Sequence, residues 1–117
     1  MMAKLKPLLP SLREKKRYIA YEIISEHKLN LSADMVEKSI LESSLDYMGD
    51  YGMSKAGVMV MKNKYRKQKG IIRVANKSAD NLRASLALIT HVNNTKVIVR
   101  SVGMSGILKK ADNYLSG

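Results

Sequence analysis

The chain has no cysteine, no tryptophan and no phenylalanine, and only two prolines and two histidines among its 117 residues. Without cysteine there is no disulfide, no thiolate nucleophile and no cysteine-ligated zinc, a composition that fits a reducing compartment. His27 and His91 cannot build a metal site by themselves, so no metal ligands are expected. Aromatic residues make up 5% of the chain and all are tyrosine, too few for an aromatic platform that stacks bases. No apolar run approaches the ~20 residues that cross a bilayer, and no signal-like apolar stretch follows the first basic residues. A cytoplasmic protein with no membrane partner is the expectation. G-x-S-x-G, H-E-x-x-H and glycine-rich phosphate loops are also missing. The carboxylates of Asp34, Glu37, Glu42 and Asp46 fall along one predicted helix at spacings that suit a solvated or partner-facing stripe, so no catalytic residue and no cofactor is expected.

What is present is positive charge. The formal net charge is +11 and the sequence pI about 10.0, which calls for a polyanionic partner, nucleic acid first. The charge is segregated. Lys4, Lys6, Arg13, Lys15, Lys16 and Arg17 stand against Glu14 alone; from Glu22 to Asp50 seven acids face only Lys28 and Lys38; after Gly52 basic residues return. Such a chain can carry a basic face for RNA and an acidic face for protein.

A length of 117 residues fits one domain, 1–117, with residues 1–10 as an extended arm held open by Pro7 and Pro10. Ser11 with Glu14 is a capping-box pattern that predicts a short N-terminal helix through Lys16. Tyr18–Ser25 alternates, with Ile19, Tyr21 and Ile23 on one side and Tyr18, Ala20, Glu22 and Ile24 on the other, and apolar residues on both sides predict a central strand. Ser32–Met48 has the spacing of a helix stopped at Gly49, and Tyr51–Gly57, with two glycines and a serine, reads as a loop. Strands over Gly57–Lys62 and Ile71–Val74 flank a basic hairpin connection. A helix over Ser78–Thr90, a turn at Asn93–Asn94, a strand over Lys96–Val102 and a final helix capped by Ser105 complete the order. The result is an α+β fold of the ferredoxin-like or RRM-like split β-α-β-β-α-β kind, with a four-stranded antiparallel sheet, helices on one face, a short N-terminal helix and a C-terminal helix.

The hairpin connection places Lys62, Lys64, Arg66, Lys67 and Lys69 in eight residues with Tyr65 among them, suited to phosphates and one stacked base. It and the basic arm are expected to screen one folded polynucleotide between them, with Lys109 and Lys110 on the last helix as a third element. Contacts of this kind read phosphate rather than sequence. The third strand has no aromatic, so sheet-face base reading is not expected. Most of the methionines read as core filler.

Two segments, LPSLREKKRYIAYEIIS at Leu9–Ser25 and VRSVGMSGILKKA at Val99–Ala111, resemble the archaeal ribonuclease P protein component 2 family, whose eukaryotic relative is the fifth POP subunit. GIIRV at Gly70–Val74 looks similar too. The chain departs from that pattern at Leu9, where a second proline is frequent, and at Ile107, where threonine is common. The resemblance implies a subunit of the ribonucleoprotein that removes 5′ leaders from precursor tRNA. It implies that the RNA with its Mg²⁺ does the chemistry, and that the partners are the ribonuclease P RNA, a barrel-fold protein subunit, other ribonuclease P proteins and a second copy of the chain within a heterotetramer. Carried over by position, it points to Arg13, Lys15, Lys16 and Arg17 as contacts near the catalytic core of the RNA. The sign reversal makes the first helix, with Met35, Glu37, Glu42 and Met48, the candidate protein-docking surface. Two other readings stay open: a general or ribosome-associated RNA-binding protein, and a small enzyme on the same fold.

Overall fold

The structure, a computed structural model, describes residues 15–26 and 30–115. Lys4, Lys6, Arg13 and His27 lie outside these residues, as does nearly all of the short helix expected before Lys16. The elements are β1 (Lys16–Ile24), α1 (Ala33–Ala56), β2 (Met59–Val60), β3 (Lys69–Ala75), α2 (Ala79–Ala87), the short pair β4 (His91–Val92) and β5 (Thr95–Lys96), β6 (Ile98–Ser105) and α3 (Leu108–Asn113). Short 3₁₀ turns occupy Lys62–Lys64 and Asn76–Ser78.

The main sheet has the order β2-β3-β1-β6 and is antiparallel throughout, so β1 is central, as its two apolar sides require. Ile19, Tyr21 and Ile23 point to the inner face with Ile72, Val74 and Val99, and α1 and α2 close over them with Val36, Ile40, Leu82 and Leu86. Burying each such side chain is worth about 1.5–3 kcal/mol. Ser44 and Ser85, both fully buried, let the two helices approach closely. Their hydroxyls donate to the carbonyls of Ile40 and Leu82, each at 2.7 Å, so neither buried donor goes unmet.

The first helix is longer than its sequence predicts. Gly49 breaks it with φ 73° and ψ 174°, yet helix resumes and runs to Ala56, where Gly57 closes it in the left-handed conformation. Gly52 costs the second segment about 1 kcal/mol of helix propensity. Ala56, fully buried against the core, offsets that cost. Strand β2 is shorter than expected because the chain turns into a 3₁₀ turn after the Met61 amide bonds the Ile71 carbonyl. Helix α2 ends three residues earlier than expected, and Asn93 and Asn94, both with positive φ, turn the unanticipated β4–β5 hairpin.

Helices were expected on one face of the sheet, but α3 lies on the other. Ala20, Ile71 and Gly103 share that outer face by register, and α3 covers them with its buried Ala111. The Tyr114 ring packs so closely on Gly103 that a Cβ there would stand 2.5 Å away. On the inner face Tyr21 fills the space over Gly70 just as tightly.

Burial, and secondarily the nearby Tyr65, pushes the Tyr21 phenol well above its ordinary value; burial raises Tyr65 as well. Both phenols therefore keep protons in the folded chain that the unfolded chain releases above pH about 10. Stability is full below that pH and falls as pH rises. Urea midpoints are expected to drop steadily above pH about 10, and Tyr21→Phe to flatten the drop. An equally steep fall in the variant would contradict the assignment. Gly70→Ala should lower stability by about 1–3 kcal/mol through overpacking against Tyr21.

Candidate nucleic-acid interface

The basic residues collect at the two ends of the sheet. At the end where β1 begins, the Asn76 amide donates to the Lys15 carbonyl at 2.7 Å, and Lys16, Arg17 and Tyr18 pair with Ala75, Val74 and Arg73. Lys15, Lys16, Arg17, Arg73 and Lys77 are thereby brought together from two segments far apart in sequence. Arg17 lays its guanidinium against Gly106, where a Cβ would stand 2.6 Å from Nη1, so the glycine makes room for the cation. The Lys16 ammonium reaches toward Gly57 at the end of α1. Among the described residues none of these five cations has an acidic partner.

At the other end, Arg66 and Lys69 exchange backbone hydrogen bonds of 2.9 and 3.0 Å around Lys67 and Gln68, whose φ values of 53° and 61° make a tight two-residue hairpin turn. The Gln68 carbonyl accepts from the Ile23 amide at 2.8 Å, which ties this tip to the far end of β1. Arg66 and Lys67 are exposed and Lys69 is half-buried, and none has an acidic partner among the described residues.

The two clusters expected to screen one polynucleotide between them do not adjoin. Lys16 and Glu22, the partner of Lys69, are six residues apart on β1, and at 3.3–3.4 Å per residue the two clusters are about 20 Å apart. Three of the hairpin residues are also engaged by the chain itself. Lys62 bridges Asp34 at 3.0 Å and Glu37 at 3.5 Å, and the Asp34 hydrogen bond, with the charges of both acids, raises its ammonium above the ordinary value. Lys64 lies 3.9 Å from Asp112 on α3. The Tyr65 hydroxyl donates to the Leu31 carbonyl at 3.0 Å and its ring packs on the core, so it offers no free face for a base. The 3₁₀ turn at Lys62–Lys64 swings all three back toward the body. Lys109 and Lys110 are exposed on α3 without acidic partners among the described residues.

The predicted docking residues on α1 diverge. Met35 is exposed, Glu37 is held by Lys62, and Met48 is turned partly into the core. Glu42 lines a groove of about 510 Å³ with Asp46, Tyr47, Leu88 and His91. Leu88 is 59% exposed there, an apolar contribution from the end of α2 that helical spacing does not reveal. Arg73 and Lys77 were likewise not singled out by sequence. A lone arginine alternating out of the apolar run IIRVA was the available signal for the first.

The Rpp14/Pop5 family model matches residues 17–116, nearly the whole described fold. The ribonuclease P protein component 2 of Thermococcus gammatolerans is 41% identical over 110 residues, spanning 94% of this chain and 90% of the relative. That of Pyrococcus horikoshii is 37% identical over 110 residues, 94% and 90%, and that of Methanosarcina barkeri 39% identical over 107 residues, 92% and 76%. A chain in the cryo-EM structure of yeast ribonuclease MRP superimposes with a TM-score of 0.62 over 88% of this chain and 87% of that one, at 12% identity, a likeness of fold.

The division between free and engaged cations is testable with a featureless polyanion. Lys15→Ala combined with Lys16→Ala should elute from immobilised heparin at clearly lower salt than the parent, while Lys62→Ala should elute close to it because that ammonium is neutralised within the molecule. Equal shifts for the two variants would show that the ion pairs of Lys62 do not withdraw it.

Proposed function

Since the chain belongs to the Rpp14/Pop5 family of ribonuclease P proteins, we propose that it works as a non-catalytic subunit that binds and stabilises the catalytic RNA while the 5′ leader is removed from precursor tRNA, in a cytoplasmic particle. The observation that carries this reading is the cluster of Lys15, Lys16, Arg17, Arg73 and Lys77, cations left without acids among the described residues of a chain whose other described acids are mostly paired. Cations held at fixed positions on a rigid sheet neutralise phosphates that approach one another when an RNA folds, and each such contact releases counterions. The RNA then needs less Mg²⁺ to hold its fold. In this reading Mg²⁺ is bound and used by the RNA, and the protein contributes no group to the bond-breaking step.

The hairpin tip at Arg66 and Lys67 is a second, weaker contact, set about 20 Å away, and Lys109 and Lys110 reach toward the same RNA from α3. On the helical side, the groove holding Glu42 and Asp46 beside Leu88 and Tyr47 suits a protein partner that brings a cation and an apolar side chain. We assign it to the barrel-fold subunit of the same particle, and a second copy of the chain completes the heterotetramer. A general RNA-binding role has less support, because the relatives that match across most of the chain carry one specific name.

Reconstitution decides between these. Precursor-tRNA cleavage by the catalytic RNA, measured over a range of Mg²⁺ with the protein and its barrel partner added or withheld, is expected to reach half its maximum at lower Mg²⁺ when both proteins are present. No stimulation at any Mg²⁺ would leave only general RNA binding. Lys15→Ala with Lys16→Ala should weaken RNA binding by about 1–2 kcal/mol and reduce the salt slope by about 2, with an unchanged urea midpoint.

A further inference from the structure

Strand alternation sends Ile72 and Val74 into the core and Arg73 to the outer face, where its cross-strand neighbours are Tyr18 on β1 and Met59 on β2. The Arg73 side chain is half-buried, and its Nε is shut off from solvent with no hydrogen-bond partner among the described residues. A shielded donor on a permanently charged group is costly to leave unmet, and folded proteins keep few of them. A neutral side chain at this position would avoid that cost.

We propose that Arg73 is the seat of a phosphodiester-binding site on the outer face of the sheet, taking one backbone phosphate of an RNA strand between Arg73 and Lys16, which share that face by register. The inference deepens the RNA-binding reading above and rests on it. A guanidinium fork meets a planar pair of anionic oxygens through two parallel N–H donors, a geometry that both phosphate and carboxylate satisfy. The surroundings select phosphate. Lys15, Lys16, Arg17 and Lys77 stand at the same end of the sheet without acidic partners among the described residues, a field that favours a chain of charges over a lone carboxylate. The acids that might have served Arg73 internally are occupied elsewhere: Glu22 by Arg100, Asp112 by Lys64, and Asp34 and Glu37 by Lys62.

The position has a structural boundary. Helix α3 covers the outer face at Ala20, Ile71 and Gly103, two residues along each strand from Tyr18, Arg73 and Ser105, and so leaves the approach to Arg73 at the edge of the helix. A strand of RNA would pass along that edge, its phosphate on Arg73 and its sugar against Tyr18. No base edge is read in this arrangement.

The test uses the full chain, labelled to observe the Arg73 Nε–H resonance, titrated with a short oligouridylate and separately with inorganic phosphate. The resonance is expected to shift with the oligonucleotide at low salt and to return as salt is raised. Response to inorganic phosphate alone would overturn the proposal in favour of a small-anion site, and response only to added protein partner would overturn it in favour of a carboxylate contact. In parallel, Arg73→Gln should bind the catalytic RNA about ten-fold more weakly with a salt slope smaller by about 1, and Arg73→Lys should fall between it and the parent. If Arg73→Gln fails to fold, the Lys variant and the titration of the unaltered protein still decide. A folded Arg73→Gln that binds like the parent, beside a weakened Lys15→Ala with Lys16→Ala, would remove the Arg73 site and leave the RNA-binding function standing. If neither variant weakens binding, the RNA reading itself fails.

Discussion

The antiparallel pairing of β1 with β3 is the contact on which the rest of the chemistry depends. It sets Lys16 beside Ala75, Arg17 beside Val74 and Tyr18 beside Arg73, and so brings Lys16 and an arginine some fifty positions later onto the same face at one end of a rigid sheet, with Arg17 on the other face. A slip of one residue would send Arg73 into the core and Ile72 to solvent. The register is held by Ile19, Tyr21, Ile72 and Val74, all packed under α1 and α2, so the hydrophobic core is what aims the cations. Fixed positions matter because phosphate neutralisation by a preformed array spares the ordering entropy of long, mobile side chains.

Charge is partitioned by the same architecture. The acids of α1 are divided: Asp34 and Glu37, at its start, hold Lys62, while Asp112 meets Lys64 from α3. Ion pairs at such exposed positions add little stability. Their effect is on the field, since they remove two cations from the hairpin and leave the positive potential concentrated where β1 begins and at the turn of Lys67. Glu42 and Asp46 stay unpaired among the described residues, which keeps the acidic groove separate from the basic end and gives the molecule two chemically distinct faces.

Most of the fold was legible in the sequence because period and punctuation agree there. The alternation in Tyr18–Ser25 located the central strand, the helical spacing in Ser32–Met48 located α1, and Asn93–Asn94 marked a turn. The failures have physical causes. Gly49 does break the helix, but Tyr51–Gly57, which reads as a loop, folds as a second helical segment anchored by the buried Ala56. The placement of α3 depends on Gly103 admitting the Tyr114 ring, a close approach between residues whose spacing shows no pattern. Among the candidate site residues, Lys15, Lys16 and Arg17 stand out in the sequence as a dense run of charge, and among the described residues the ion pairs leave them without acidic partners. Lys62, Lys64 and Tyr65 have partners within the fold that the sequence does not reveal, because a charge run says nothing about which of its members the fold will pair, and one cation in an apolar strand, Arg73, does not register as a cluster.

The placement of α3 accounts for why the unpaired cations lie at the ends of the sheet and not across its middle. Sheets of this topology can offer an open face with aromatics for stacking bases. Here the middle of that face carries Ala20, Ile71 and Gly103, small or aliphatic residues suited to a helix and useless to a base, and α3 occupies it. What remains accessible is the basic end beside Arg73, the hairpin turn about 20 Å away, and the exposed lysines of α3 between them. Under the proposed function, this arrangement suits recognition of the spacing of phosphates on a folded RNA rather than the identity of its bases. For a subunit proposed to hold an RNA in its working shape, that is the property required: the sequence of the RNA can drift while the distances between its phosphates are kept.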